Sequence, residues 1–229
     1  MTDKVPQCIG IILDGNRRWA RERGKPLFEG HRVGLRETLK KIVLAVRDRG
    51  IPHLAVFMFS TENWGRAGDE VSYLMDLFRS AAKEDLRELG REGVRIRFVG
   101  QKERFSSDLQ RLMEDTEKET AHNTKITLWA CLSYGGRAEI AAAAKSAVAS
   151  AYGGDVSEDS LAQHLWTADM PDCDIIVRTS GEKRLSGFLM WKGAYAELFF
   201  LDAYWPDFDE KMLEDVLTEY VARERRMGK

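Results

Sequence analysis

The sequence predicts an α/β fold: a single domain on a mostly parallel central sheet of about six strands, flanked by helices on both faces. Three observations carry that reading. Short apolar runs alternate with stretches of helical periodicity along the whole chain. Several of the runs are apolar throughout, as strands buried on both faces are. No repeat, low-complexity linker or shift in composition divides the 229 residues, so residues 1–229 read as one domain large enough to bury a core.

Ile9 to Leu13 is the first strand and stops at Asp14-Gly15-Asn16-Arg17-Arg18-Trp19. A turn-rich stretch through Gly34 leads to a helix with Leu35, Leu39, Ile42, Val43 and Val46 on one face, ending at Gly50. Leu54 to Phe59 is a second strand, emptying into Ser60-Thr61-Glu62-Asn63-Trp64-Gly65-Arg66. A long helix follows, carrying Val71, Leu74, Met75, Phe78, Ala82 and Leu86 at helical spacing, with Gly90 as its stop. Val94 to Val99 alternates as a strand with one polar face, and Ser106 or Ser107 caps a charged surface helix. Ile126 to Leu132 is a fourth strand, running into Ser133-Tyr134-Gly135-Gly136-Arg137 and an alanine-rich helix. After a loop at Gly153 to Asp155, Ile175 to Val177 makes a fifth strand before Arg178-Thr179-Ser180-Gly181-Glu182-Lys183-Arg184-Leu185-Ser186. Leu198 to Leu201 is the sixth, followed by Trp205-Pro206 and an amphipathic helix.

The charge balance excludes some partners. With 35 basic and 37 acidic residues the net charge is −2, so nothing global attracts nucleic acid or an anionic surface, and any anion site is a local cluster. Cys8, Cys131 and Cys173 are odd in number and lie in or beside apolar runs, which predicts reduced core thiols, not a disulfide frame or a zinc site. No segment has the length of a signal-peptide core or a membrane span, so the expectation is a soluble cytoplasmic protein.

Four strands end in arginine-bearing loops, which together supply Arg17, Arg18, Arg66, Arg137, Arg178 and Arg184, with His31, Ser60 and Ser186 as supporting donors. Arginine suits bidentate contact with phosphate oxygens, and open α/β sheets bind ligands beyond the carboxyl ends of their strands. Such a series points to a substrate with two phosphate groups, or to two such substrates. One loop alone is equally a strand-to-helix turn with solvated arginines. Asp14 and Glu197 are candidate metal ligands; few carboxylates suit Mg2+, which keeps waters and shares itself with substrate phosphates. Either acid by itself is also an ordinary cap or surface group. Ser180 and Ser186 have no histidine at an interpretable distance, and His31, His53, His122 and His164 form no ligand pattern. With no Gly-Lys-Ser/Thr loop and no Gly-x-Gly-x-x-Gly after a strand, the residues favour electrostatic catalysis on a diphosphate.

Asp14-Gly-Asn-Arg-Arg-Trp19, Gly30-His31, Phe59-Ser-Thr-Glu-Asn-Trp64 with Arg66, Tyr134-Gly-Gly-Arg137, Arg178 to Ser186 and Trp205-Pro-Asp-Phe208 resemble, in that order, the blocks of the cis-prenyltransferase family, the Z-isoprenyl diphosphate synthases of the undecaprenyl diphosphate synthase type. The resemblance spans nearly the whole chain. It implies a Mg2+-dependent transferase that condenses an allylic diphosphate head-to-tail with isopentenyl diphosphate, giving a Z double bond. Asp14 is then the catalytic metal ligand, with Glu197 completing the metal contact. The amides of Gly15, Asn16, Arg17 and Arg18, with His31, grip the allylic diphosphate, and Arg178, Arg184 and Ser186 bind isopentenyl diphosphate. Ser60, Thr61, Glu62, Arg66 and Leu185 fall in the substrate-binding blocks, and Trp19 and Trp64 shield a carbocation-like state. Asn63 occupies the position assigned to proton removal, but a neutral amide is a poor base, so its expected role is positioning. Arg226-Met227-Gly228 resembles the tail triplet of homodimeric members, which implies a homodimer.

Two departures matter. Leu27 stands where many long-chain relatives carry an arginine. The family grows its product in an apolar tunnel between sheet and helices, and Met58 and Leu132 stand where long-chain members have small residues; Trp129 lies on the same strand as Leu132. That bulk predicts a short product of about two to four isoprene units over a long undecaprenyl-type carrier. Regular or branching condensation is left open. A non-catalytic partner subunit is the next alternative, and an unrelated phosphate-binding enzyme such as a phosphatase the last.

Overall fold

Strands buried on both faces need covering helices on each side, and the computed structural model, which describes residues 5–150 and 155–223, is built that way. The strands are β1 (Cys8–Ile12), β2 (His53–Ser60), β3 (Val94–Val99), β4 (Ile126–Tyr134), β5 (Ile175–Arg178) and β6 (Glu197–Phe200). All pairings are parallel, in the order β3-β4-β2-β1-β5-β6. Ile9, Ile11, Leu54, Val56, Leu128 and Ala130 point into the larger core. Cys8, Ala55, Phe57, Trp129 and Cys131 point into a smaller core against Phe188 and Leu189. The three thiols are buried and free, as their apolar settings predict.

The helices are α1 (Asn16–Glu22), α2 (Leu27–Val33), α3 (Leu39–Asp48), α4 (Gly68–Lys83), α5 (Asp85–Arg91), α6 (Ser107–Thr120), α7 (Gly136–Ser150), α8 (Glu158–Gln163) and α9 (Glu210–Ala222). The structure departs from the sequence reading in three places. The turn-rich stretch before Gly34 contains α1 and α2, which are held by close backbone approach more than by an apolar stripe. A Cβ on Gly30 would lie 1.9 Å from the Asn16 carbonyl oxygen, and one on Gly34 2.4 Å from Asn16 Oδ1. Between α2 and α3, Gly34–Thr38 forms one π-helical turn. The long helix expected to stop at Gly90 divides at Glu84 and runs on to Arg91.

Two bulges bend the β2–β4 pair at its carboxyl end. Phe57 pairs with Cys131 and Phe59 with Leu132, so Met58 is extra on β2. Ser60 then pairs with Tyr134, so Ser133 is extra on β4, at φ +47°. Among the described residues no helix is long and apolar enough to cross a membrane. Gly153 and Gly154 of the expected loop and the Arg226-Met227-Gly228 triplet lie outside the described residues.

Gly30 is the tightest test of this packing. Gly30→Ala should lower stability by about 2 kcal/mol or more, because the new methyl group has backbone and no flexible side chain against it. Thermal melting followed by circular dichroism should read that as a fall in Tm of about 4–8 °C.

Candidate active site

The carboxyl ends of β1, β2, β4 and β5 and the turns that follow them surround a cleft of about 1120 Å³. β1 lies between β2 and β5, where the strand order passes from one flank of the sheet to the other, so Asp14 stands at the crevice such sheets use for ligands. Its backbone is fixed on three sides. The Asp14 N–H donates to Thr179 Oγ1 at 3.1 Å. The Asp14 carbonyl accepts from Thr179 Oγ1 at 2.7 Å and from the Trp205 N–H at 2.9 Å. Gly15 turns the chain at φ +102°, where a Cβ would sit 2.6 Å from Tyr204 Cδ1.

Two charge clusters occupy this cleft. In the first, Asp14 Oδ2 accepts from Arg178 Nη2 at 2.8 Å and Oδ1 from the Gly15 N–H at 2.7 Å. Arg178 is only 5% exposed, and its Nη1 donates to the Arg184 carbonyl and, at 2.9 Å, to Ser186 Oγ. Arg18 donates to Ser180 Oγ and lies 3.7 Å from Asp14 Oδ1 and 3.5 Å from Glu182 Oε1. Glu182 also accepts from Arg184. The loop is wound tightly to achieve this, with Ser180 at φ +77° and Ser186 at φ +50°. Non-glycine residues occupy that region only where their surroundings hold them there.

The second cluster centres on Glu70 in the first turn of α4. This carboxylate is 7% exposed and gathers three cationic or imidazole groups. Arg66 Nη1 donates to it at 2.8 Å, Arg17 Nη1 approaches to 3.4 Å and His31 Nε2 to 3.7 Å. Burial drives the His31 pKa down to about 4, with Arg66 and Arg17 adding to the effect and Glu70 opposing it. His31 is therefore neutral at pH 7, and its Nε2 has no hydrogen-bond partner among the described residues.

On the β2 side, Ser60, Thr61, Glu62 and Asn63 line the cleft. The Ser60 N–H donates to Asn63 Oδ1 at 3.0 Å, while the Ser60 hydroxyl accepts from the Asn63 N–H. The Asn63 side-chain oxygen is thus held in a capping box. Arg137 also lines the cleft, from the start of α7.

Several expected site residues are not on the cleft wall. Trp19 is buried on the far side of α1, its Nε1 donating to Asp207 Oδ1 at 2.7 Å, because the helical period turns Arg17, Arg18 and Arg21 to the cleft instead. Trp64 packs on Phe59 and Phe105 and donates to Ser133 Oγ at 2.9 Å. Leu185 packs against the smaller core between Arg184 and Ser186. Glu197 pairs in register with Ile175, which aligns with Ile9, so it begins β6 at the opposite end of the sheet from Asp14. There it accepts from Arg223 Nη1 at 2.9 Å. A metal ion shared by Asp14 and Glu197 of one chain is therefore ruled out by strand register. Leu27 is 41% exposed at the start of α2.

Met58 lines the cleft and, with Leu35, Phe78 and Leu132, a small cavity behind it. Trp129 does not belong to that wall, since it faces the other core and donates to His53 Nδ1 at 3.2 Å. Arg21 and Met190 on the cleft wall, Glu182 there with a role the sequence reading did not give it, and Glu70 enclosed behind Arg17, Arg66 and His31 are what the sequence reading missed. Glu70 had one signal, its position four residues after Arg66 in a helix's first turn. Among the described residues no three His, Cys, Asp or Glu side chains converge on a metal position. Asp14 is one carboxylate open to the cleft, the donor set magnesium uses when phosphates and waters complete its shell.

A family model described as "Putative undecaprenyl diphosphate synthase" matches residues 12–228. The chain is 44% identical over 229 residues to the isoprenyl transferase of Agrobacterium fabrum, covering 98% of this chain and 92% of that protein. It is 42% identical over 233 residues to the ditrans,polycis-undecaprenyl-diphosphate synthase ((2E,6E)-farnesyl-diphosphate specific) of Legionella pneumophila (strain Paris), covering 100% of this chain and 98% of that one. Lavandulyl diphosphate synthase from Lavandula x intermedia, solved in complex with dimethylallyl diphosphate, superposes with a TM-score of 0.94 at 31% identity, covering 98% of this chain and 99% of that one.

The His31 environment predicts a pH signature. As pH falls below 6.5 the unfolded chain takes up a proton at this position that the folded chain refuses until about pH 4, so stability is lost across that window. Between pH 7.5 and pH 5 the loss from this group is about 2 kcal/mol. Urea denaturation of the parent and of His31→Gln at both pH values should show that much less acid sensitivity in the variant.

Proposed function

The chain belongs to the undecaprenyl diphosphate synthase family of prenyltransferases, and we propose that it joins an allylic diphosphate to isopentenyl diphosphate with magnesium, forming a Z-prenyl diphosphate. The observation that carries this is one cleft with two cation clusters, Arg178, Arg18 and Arg184 on one side and Arg17 and Arg66, beside the neutral imidazole of His31, on the other, opening onto an apolar wall. Two diphosphates and one hydrocarbon tail match those three surfaces.

In the reaction the allylic carbon–oxygen bond breaks and diphosphate leaves. The terminal alkene carbon of isopentenyl diphosphate bonds to the allylic carbon, and a proton is lost from the adjacent methylene. Magnesium at Asp14, when bound, neutralises charge that gathers on the departing diphosphate. Arg17, Arg66, His31 and the amides of Asn16 to Arg18 hold the allylic diphosphate. Arg178, Arg184 and Ser186 hold the other one. Each anion draws its arginines away from Glu70, Asp14 or Glu182, so the resting ion pairs are exchanged for substrate contacts. Asn63 carries a neutral amide, a poor base, with its oxygen already accepting from the Ser60 N–H, which makes it a positioning residue; a diphosphate oxygen takes the proton.

A short product is the reading we favour. Behind Met58 and Leu132 the cavity measures about 20 Å³, room for about one water-sized object and too little for five carbons. The family names of the bacterial relatives favour a second reading, a long polyprenyl product, which requires that cavity to open. A homodimer through the unpaired β6 edge is consistent with the exposed Tyr195, Leu198 and Val221 beside it.

Labelled isopentenyl diphosphate with dimethylallyl, geranyl or farnesyl diphosphate and magnesium tests the activity. Asp14→Ala should cut incorporation by about 10³-fold or more with the circular dichroism spectrum unchanged. No product from any primer with the parent protein would sink the assignment. Separately, Met58→Ala with Leu132→Ala should lengthen the dephosphorylated product on reversed-phase sizing, whereas chains of many isoprene units from the parent would favour the long-chain reading.

A further inference from the structure

The cavity behind Met58 has a charged far end. Its walls include Leu35, Phe78, Leu86, Leu109 and Leu132, but Lys40 and Asp85 also line it. Neither charge is loose. Arg36 grips Asp85 with a fork, Nε to Oδ2 at 2.9 Å and Nη2 to Oδ1 at 3.4 Å, and also holds Glu84. Lys40 pairs with Glu88. Both ties run from the π-turn and α3 on one side to the α4–α5 junction on the other.

The backbone at each end of this strap is interrupted. Gly34–Thr38 is the π-turn, and Glu84, at φ −114° and ψ −69°, separates α4 from α5 with no proline or glycine at residues 83–85 to require a break. Arg36 sits in the first irregularity and binds both residues at the second. The opposite wall is Met58 of β2, Leu132 of β4 and Phe98 of β3, all within the hydrogen-bonded sheet and so the stiffer side. The helical wall is joined to α3 and the π-turn by side-chain contacts, ion pairs among them, and is the side that can move to admit a chain.

We infer that Arg36 is a product-length determinant acting through Asp85: the Arg36–Glu84/Asp85 strap clamps the α4–α5 junction against the π-turn and keeps the apolar cavity shut. This rests on the prenyl-transfer reading above and adds to it a second stop, remote from the cation clusters. Met58 and Leu132 narrow the entrance; the strap stops the far end from spreading. The arrangement is sensitive to its carboxylate, because the Asp85 side chain is half as exposed as that of Arg36, at 15% against 30%, and a fork needs both oxygens.

The test uses the full chain with magnesium, labelled isopentenyl diphosphate and the three allylic primers, sizing the dephosphorylated products. Hydrogen–deuterium exchange across residues 80–90 is followed in parallel without substrate. Arg36→Gln and Asp85→Asn should each lengthen the main product by at least one isoprene unit and speed exchange in that segment roughly tenfold. The charge swap, Arg36→Asp with Asp85→Arg, should move both readouts back towards the parent. If Arg36→Gln does not fold, Glu84→Gln, at the exposed end of the strap, should give the same changes at smaller size. Faster exchange with an unchanged product overturns the inference, as does lengthening that the swap leaves in place. A parent that makes no prenyl product overturns the functional reading and this inference with it.

Discussion

The ion pair between Asp14 and Arg178 is the constraint on which the cleft depends. The register that aligns Ile12 with Arg178 brings the two side chains together at adjacent strand ends. A guanidinium 5% exposed is costly to bury and persists only with its charge answered and most of its hydrogens placed. Asp14 answers the charge through Nη2, the Arg184 carbonyl and Ser186 hydroxyl accept from Nη1, and Nε has no partner among the described residues. The same contacts hold the 178–186 loop in its positive-φ conformation and so set where Arg184 and Ser186 stand. Thr179, locked to the Asp14 backbone, stops the pair from sliding along the sheet.

Glu70 repeats that logic across the cleft. Two guanidiniums, Arg17 and Arg66, stand beside the His31 imidazole and would repel one another. A buried carboxylate among them holds the set together before any substrate arrives. The two clusters differ in solvent access. Asp14 faces the cleft and can be shared with an ion, whereas Glu70 is enclosed and neighbours an imidazole held neutral by burial. Their separate characters suit one mobile, metal-assisted group and one fixed anchor.

The apolar side of the molecule obeys a different rule. Its sheet wall is the stiffer one because β2 and β4 each pair with a strand on either side, and its two bulges aim Met58 and Ser133 to places a regular ladder would not. Its helical wall is assembled from side-chain contacts across a π-turn and a broken helix. The polar groups of the cleft are therefore fixed at the strand ends, whereas the helical wall behind Met58 depends on the side-chain contacts that restrain α4 and α5.

Much of this was legible along the chain. Apolar runs such as Ile9 to Leu13 and Ile175 to Val177 report a doubly covered parallel sheet because burial on both faces leaves no polar position in a strand. Asp14, Arg17, Arg18, His31, Arg66, Arg178, Arg184 and Ser186 were readable as one site because parallel strands deliver their carboxyl ends to a common rim. Trp19, Trp64, Leu185 and Glu197 were readable as neighbours in sequence but not as members of the cleft. Helical period for Trp19, core packing for Trp64 and Leu185, and strand register for Glu197 decide which way such residues face and at which end they stand. Glu70 shows the converse, since its three partners come from α1, α2 and the β2–α4 turn and meet only after folding. Sequence alone determined the strand order of chemistry, from Asp14 through Ser60 to Arg178, because each block is local. Tertiary structure alone decided the pairing of Asp14 with Arg178, the Glu70 cluster and the closed cavity behind Met58, because each depends on contacts between segments far apart in the chain.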